Sequence, residues 1–159
     1  MKGSLAKAVL GEFENQLRQA LPDFKPVKNV DLPNADRPSV CRLYGYKVSE
    51  SLSLYVHFQT HRSEDSFTVE IAWSRHDLGP LPFMVNPPSH DEAADREAAR
   101  FRLGRLWASR DVWWDVASAA VAPAQVKDAV THLAREGLSY FSSVAAPLAL
   151  HLNSGEDVR

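Results

Sequence analysis

The 159-residue chain holds a single cysteine, Cys41, so no intrachain disulfide is possible and covalent stapling is excluded. Nor does it hold an apolar run approaching the ~18 residues that a membrane-crossing helix needs. The N-terminus, Met1-Lys2-Gly3-Ser4-Leu5-Ala6-Lys7, has no hydrophobic stretch before Glu12 and does not have the form of a secretory signal. Seven glycines are scattered, and none builds a GxGxxG, Walker or GxSxG element. Excess charge of either sign is missing as well: the formal net charge is −2 and the pI about 6.3. That balance supplies no global attraction to nucleic acid or to an anionic membrane. These absences predict a cytoplasmic protein without cofactor and without membrane contact.

Composition is otherwise ordinary, with 45% hydrophobic and 24% charged residues. A chain of this size forms one domain that buries roughly 68–70% of its unfolded surface. We expect a single domain over 1–153 and a frayed polar tail over 154–159. Cys41 is expected as a small buried residue of a strand, because no nearby motif supplies a base for a catalytic thiol.

Residues 4–21 repeat apolar side chains at Leu5, Val9, Phe13 and Leu17, the stripe of an amphipathic helix with Ser4 as its N-cap and Pro22 as its stop. Pro26 confines 24–30 to an edge strand, and 31–38 has the residues of a loop. Three strands follow at 40–48, 52–60 and 67–73, joined by short polar turns into an antiparallel meander. In the second, Leu52, Leu54, Val56 and Phe58 alternate with Ser53, Tyr55, His57 and Gln59. Such alternation predicts one core face and one wetter face. The stretch 74–88 carries Gly79 and four prolines, and is either a lid or a structural cover. Ser89 and Glu92 have the spacing of a capping box, opening a helix that is predicted to run to about Arg100. A second hairpin is predicted, with strands 101–107 and 112–117. Gly104 within it marks a bulge or a close backbone approach. Pro123 starts a helix with Val126, Val130, Leu133 and Ala134 inward, kinked or ended at Gly137 and continued through Phe141. The order of elements predicts an α+β fold: an antiparallel sheet of five to six strands with N- and C-terminal helices packed on one face.

The richest segment is 105–116. It holds three of the four tryptophans, Trp107, Trp113 and Trp114, with Arg100, Arg102, Arg105 and Arg110 around them. Burying one tryptophan fully is worth roughly 4–6 kcal/mol at most. In a strand, Trp113 and Trp114 point to opposite faces, so Val112, Trp114 and Val116 belong to the core and Trp113 is the side chain that needs a cover. Either the 74–88 stretch or the following helix covers it, or it is an exposed anchor flanked by arginines, the residue types of binding hot spots. Arg100 and Arg102 are expected on one face and Arg105 on the other, which argues against a single basic patch for nucleic acid.

His57 and Glu70 are expected on the wetter face as solvated polar residues, or as an acid–base pair. The steps His76-Asp77 and His90-Asp91 flank the proline-rich stretch. Asp91 fits a helix N-terminus, where negative charge is favoured, better than a metal site.

Arg102-Leu103-Gly104-Arg105-Leu106 followed by Asp111-Val112-Trp113-Trp114-Asp115-Val116 resembles a late R-x-G-x-L … D-x-W-W hairpin found in a family of small bacterial α+β domains of unknown function. Phe67, Val69 and Trp73 stand at that family's F-x-V-x-x-x-W strand. The resemblance runs from about Leu5 to Leu138 and departs at 79–88 and after Gly137. It implies a fold and a bacterial source, and no reaction.

The leading expectation is therefore a non-enzymatic module that binds a protein or ligand, of immunity or accessory type, through Trp113, Arg110, Arg105 and Trp107. The competing expectation is a small hydrolase using His57, Glu70, His76 or Asp77. A third is a structural homodimer.

Overall fold

The computed structural model describes residues 1–28, 40–76 and 80–144. Within them a six-stranded antiparallel sheet carries its helices on one face. The predicted loop at 31–38, Asp77 and the tail lie outside the described residues.

The first helix, α1 (Gly3–Ala20), buries Ala6, Val9, Phe13 and Leu17, the stripe that the four-residue spacing predicts. Its N-cap is Lys2, without a side-chain cap, and Ser4 sits inside the first turn rather than at the cap. The strands β1 (Lys25–Val27), β2 (Cys41–Ser49), β3 (Leu52–Thr60) and β4 (Ser66–Ser74) follow in sheet order, with β1 as the short edge strand that Pro26 allows.

The chain then departs from the expected pattern. The Ser89 capping box forms, but the helix it opens, α2 (His90–Ala94), lasts five residues. Arg100 is not helical: it lies in β5 (Ala98–Arg102), which pairs with β4. The predicted hairpin between 101–107 and 112–117 is also corrected. Residues Leu103–Leu106 form a 3-10 turn, and β6 (Trp114–Asp115) returns to pair with Ser66 and Phe67 of β4. β5 and β6 thus lie end to end along the same edge of β4.

Gly104 explains the excursion between them. A Cβ at this position would meet the Val112 Cγ2 at 2.5 Å and the Val112 backbone nitrogen at 2.9 Å. Thr68 Oγ1 donates to the Val112 carbonyl at 2.7 Å and pins the returning chain to β4. Burial of Phe67, Trp114, Val116 and Leu103 in the main core outweighs the local strand pattern.

The C-terminal helices are α3 (Ala122–His132), a π-helical turn over Leu133–Gly137, and α4 (Leu138–Val144). Gly137 closes that turn without ending the helical path. Phe13, Tyr44, Phe58, Val69, Ile71, Trp73, Phe101, Val126, Leu133 and Phe141 fill the core between helices and sheet.

The opposite face is not wet. All nine residues of β4 are buried, as are eight of nine in β3. Leu81 packs with Leu43, Tyr55, Ala72 and Ala98 as a second apolar cluster. Residues 82–84 run alongside β5: Met84 N donates to the Arg100 carbonyl (2.7 Å) and Arg100 N to the Pro82 carbonyl (3.0 Å). Over these residues the proline-rich stretch is a cover for the sheet edge.

Candidate functional site

Strand register places the site. On the face opposite the helices, one cross-strand row runs Leu43, His57, Glu70, Arg102, and the next runs Gly45, Tyr55, Ala72, Arg100. Alternation in each strand therefore carries His57, Glu70, Arg100 and Arg102 into one layer.

Their side chains converge on the Glu70 carboxylate. His57 Nδ1 lies 3.0 Å from Oε1, and Gln59 Nε2 donates to Oε2 at 3.4 Å. Arg100 Nε stands 3.4 Å from Oε1 and Arg102 Nε 3.5 Å from Oε2. His57 and Glu70 are only 2% and 3% exposed, so the expectation of solvated sheet-face residues is corrected. The proline-rich cover and the neighbouring strands exclude water from a row that the alternation alone marks as polar.

A buried carboxylate is costly unless its charge is met. Burial pushes the Glu70 carboxyl up, but the His57 hydrogen bond and the charges of His57, Arg100 and Arg102 outweigh it and hold the group below its usual range. Burial pushes the His57 imidazole down. Hydrogen bonds to Cys41 and Glu70 and the Glu70 charge reverse this and raise it. Burial lowers the Arg100 guanidinium, with Glu70 opposing the shift.

Arg102 links the buried cluster to the surface. Its Nη1 donates to Asp111 Oδ2 at 2.7 Å, and Arg105 Nε donates to Asp111 Oδ1 at 3.0 Å. Arg102 and Arg105 thus meet on one carboxylate, although they were expected on opposite faces. The 3-10 turn at Leu103–Leu106 redirects Arg105. The Arg102 guanidinium also packs over two rings, 5.5 Å from the centroid of Phe83 and 5.0 Å from that of Trp113. Phe83 contacts Arg100 as well, at 5.4 Å.

This arrangement identifies what covers Trp113. The ring is half-buried, with Arg102 over its face and the His61 ring edge-on at 4.9 Å. Trp114 is core: it is 5% exposed, stacks on Phe67, and donates from Nε1 to Asp128 at 2.8 Å. Trp107 stands apart from the arginine cluster, stacked in parallel on His132 of α3 at 3.8 Å. Arg110 is exposed and reaches the Asp111 carbonyl at 3.4 Å.

The remaining candidates are not brought together. His76 pairs with Glu97 at the surface, and His90 contacts the Ser143 carbonyl. Asp77 lies outside the described residues. Among the described residues no three His, Cys, Asp or Glu side chains gather as metal ligands. No helix among them is long and apolar enough to cross a membrane.

Three participants escape the sequence reading. Phe83 lies in a stretch without periodicity, so nothing marks its ring as a partner of Arg100 and Arg102. The role of Asp111 depends on a turn that replaces the expected hairpin. Cys41 is exposed rather than buried, and it is among the causes that raise the His57 imidazole. Cys41 and His57 share a face, a relation that appears only once Leu43 is known to pair with His57.

The chain matches no protein-family model, no curated protein and no solved structure.

Proposed function

We propose that the protein is a non-enzymatic binding module whose recognition surface is the aromatic–arginine patch around Arg102, and that its partner is a protein presenting carboxylates beside an apolar side chain. The supporting observation is the packing of Arg102 over both the Phe83 and Trp113 rings, with its guanidinium paired to Glu70 and Asp111. A guanidinium held this way loses little rotamer freedom on binding. Phe83 is 40% exposed and Val85, two residues on, 58%, which supplies an apolar anchor at the rim. Three arginines, the buried Arg100 with Arg102 and Arg105, face two carboxylates, Glu70 and Asp111, and the exposed Arg110 reaches only the Asp111 backbone carbonyl, so the patch carries a local positive excess on a chain of net charge −2. That excess favours an acidic partner and sets its orientation.

Panning displayed random peptides on the whole protein tests this reading. The expected outcome is enrichment of peptides that combine Asp or Glu with an aromatic or aliphatic residue. Their affinity should fall with salt and fall again in Phe83→Ala and Arg110→Ala. Enriched peptides without acidic residues, or binding indifferent to both substitutions, would contradict it.

A further inference from the structure

The sheet does not end at β5. Phe83 bridges to Arg100 in parallel, with the Arg100 N–H donating to the Pro82 carbonyl at 3.0 Å and the Met84 N–H to the Arg100 carbonyl at 2.7 Å. Backbone groups of successive residues in an extended chain point to opposite sides. Those of Pro82 and Met84 therefore turn toward β5, and the N–H and C=O of Phe83 turn outward. Among the described residues neither group meets a hydrogen-bond partner. Proline commonly blocks such an edge. Here the N–H that Pro82 lacks would lie on the β5 side, so the outer side stays open. Side chains alternate as well: the Phe83 ring contacts Arg100 and Arg102, while Met84 packs against the core between helices and sheet. The rim is thus a short unpaired edge with arginines on one face and an apolar side chain on the other.

We propose that the protein takes up its acidic partner by strand addition, an extended segment of the partner pairing with the Phe83 edge, which rests on the aromatic–arginine patch being the recognition surface. Main-chain bonds to Phe83 fix the segment to the sheet, and side chains select it. The added strand lies ~4.8 Å beyond Phe83. On the face that carries the Phe83 ring, its alternate side chains look toward Arg102. Because 82–84 runs parallel to β5, its far end lies toward the turn that carries Arg105 and the exposed Arg110. Carboxylates are favoured on that face. On the other face the side chains lie beside Met84, where apolar groups are favoured. The segment that fits therefore alternates acidic and apolar residues. The edge is short, because a bend follows at 85–86 and then Pro87 and Pro88. The backbone contributes few bonds, so charge decides which strand is taken. A second copy of this chain presents an edge flanked by the same arginines, and like charges oppose that pairing.

The probe is a short capped peptide alternating glutamate with valine, with two further versions N-methylated at every glutamate or at every valine. Affinity is read by fluorescence anisotropy and the Phe83 amide by hydrogen exchange, both on the native chain. Binding of the parent peptide is expected to saturate, to weaken with salt and to slow exchange of the Phe83 amide proton. One methylated version should bind at least about tenfold more weakly, the loss expected for about two backbone hydrogen bonds, and the other nearly as well as the parent. Loss with methylated glutamates gives an antiparallel added strand, and loss with methylated valines a parallel one. Equal effects of the two methylations, or a Phe83 amide that exchanges as fast with the peptide as without it, overturn strand addition. So does a parent peptide that does not bind. The patch itself is judged separately, by whether panned peptides depend on Phe83 and Arg110, so the two readings fail by different results. Protection of the Phe83 amide that grows with protein concentration alone assigns the edge to a second copy and overturns the acidic segment as its occupant.

Discussion

Replacing Glu70 by glutamine removes one negative charge from a layer that holds His57, Arg100 and Arg102 within 3.0–3.5 Å of it. The shape of the side chain is kept, so the change is electrostatic. Glu70 is 3% exposed and Arg100 1%, so water cannot replace the lost partner. Breaking a buried ion pair from one side costs about 3–5 kcal/mol. A domain of this size has roughly 5–15 kcal/mol in total, so the variant should still fold. With a urea slope near ~2 kcal/mol/M, the midpoint should fall by about 1.5–2.5 M at unchanged slope.

The pH dependence should change with it. The depressed Glu70 carboxyl stabilises the native state above its unfolded value of 4.5 and ceases to do so as pH falls through the folded value. The raised His57 imidazole stabilises it below its unfolded value of 6.5 and ceases to do so as pH rises through the folded one. Both contributions are complete between those two values, so the native chain should be most resistant to urea there. Glu70→Gln should flatten that maximum. A midpoint shift below about 0.5 M, or an unchanged pH profile, would refute the buried cluster as described.

Other outcomes follow from packing. Gly104→Ala should destabilise the fold by about 1–3 kcal/mol, because the new Cβ meets the Val112 backbone and not only a movable side chain, and a thermal melt should register a loss of several degrees. Ser89→Ala removes the capping box of α2 and should cost about 1 kcal/mol in chemical denaturation. Trp113→Phe should remove a fluorescence component that iodide quenches only in part, since Arg102 and His61 shield one face and one edge of the ring. Complete quenching of that component, or none, would contradict its half-buried position.

Much of the fold was legible because strong periodicities coincided with tertiary burial. The α1 stripe from Val9 to Leu17 and the alternation of β3 and β4 each predicted an element and its core-facing side chains. The departures came where local pattern and packing disagree. Residues 95–100 have a helical composition, yet Ala99 and Phe101 complete the core only as a strand beside β4. The 101–117 segment alternates like a hairpin, yet the contact of Gly104 with Val112 turns it back onto β4. The site was less legible still. His57 and Glu70 were visible as a same-face pair, but their burial depends on the 80–84 cover, and their partners Arg100 and Arg102 are fixed only by sheet register. Cys41 stood out in the sequence only as the lone cysteine, with nothing to connect it to a histidine sixteen residues away.

The partner surface proposed above centres on Arg102, packed over the Phe83 and Trp113 rings. The most direct measurement is an amide chemical-shift map of the 17.7 kDa protein titrated with a selected acidic peptide. The account predicts perturbations concentrated at 83–85, 100–105 and 110–113, weakened by added salt. Perturbations confined instead to the groove between α1 and α3, around Gln16, Gln19, Lys127 and Thr131, would contradict it.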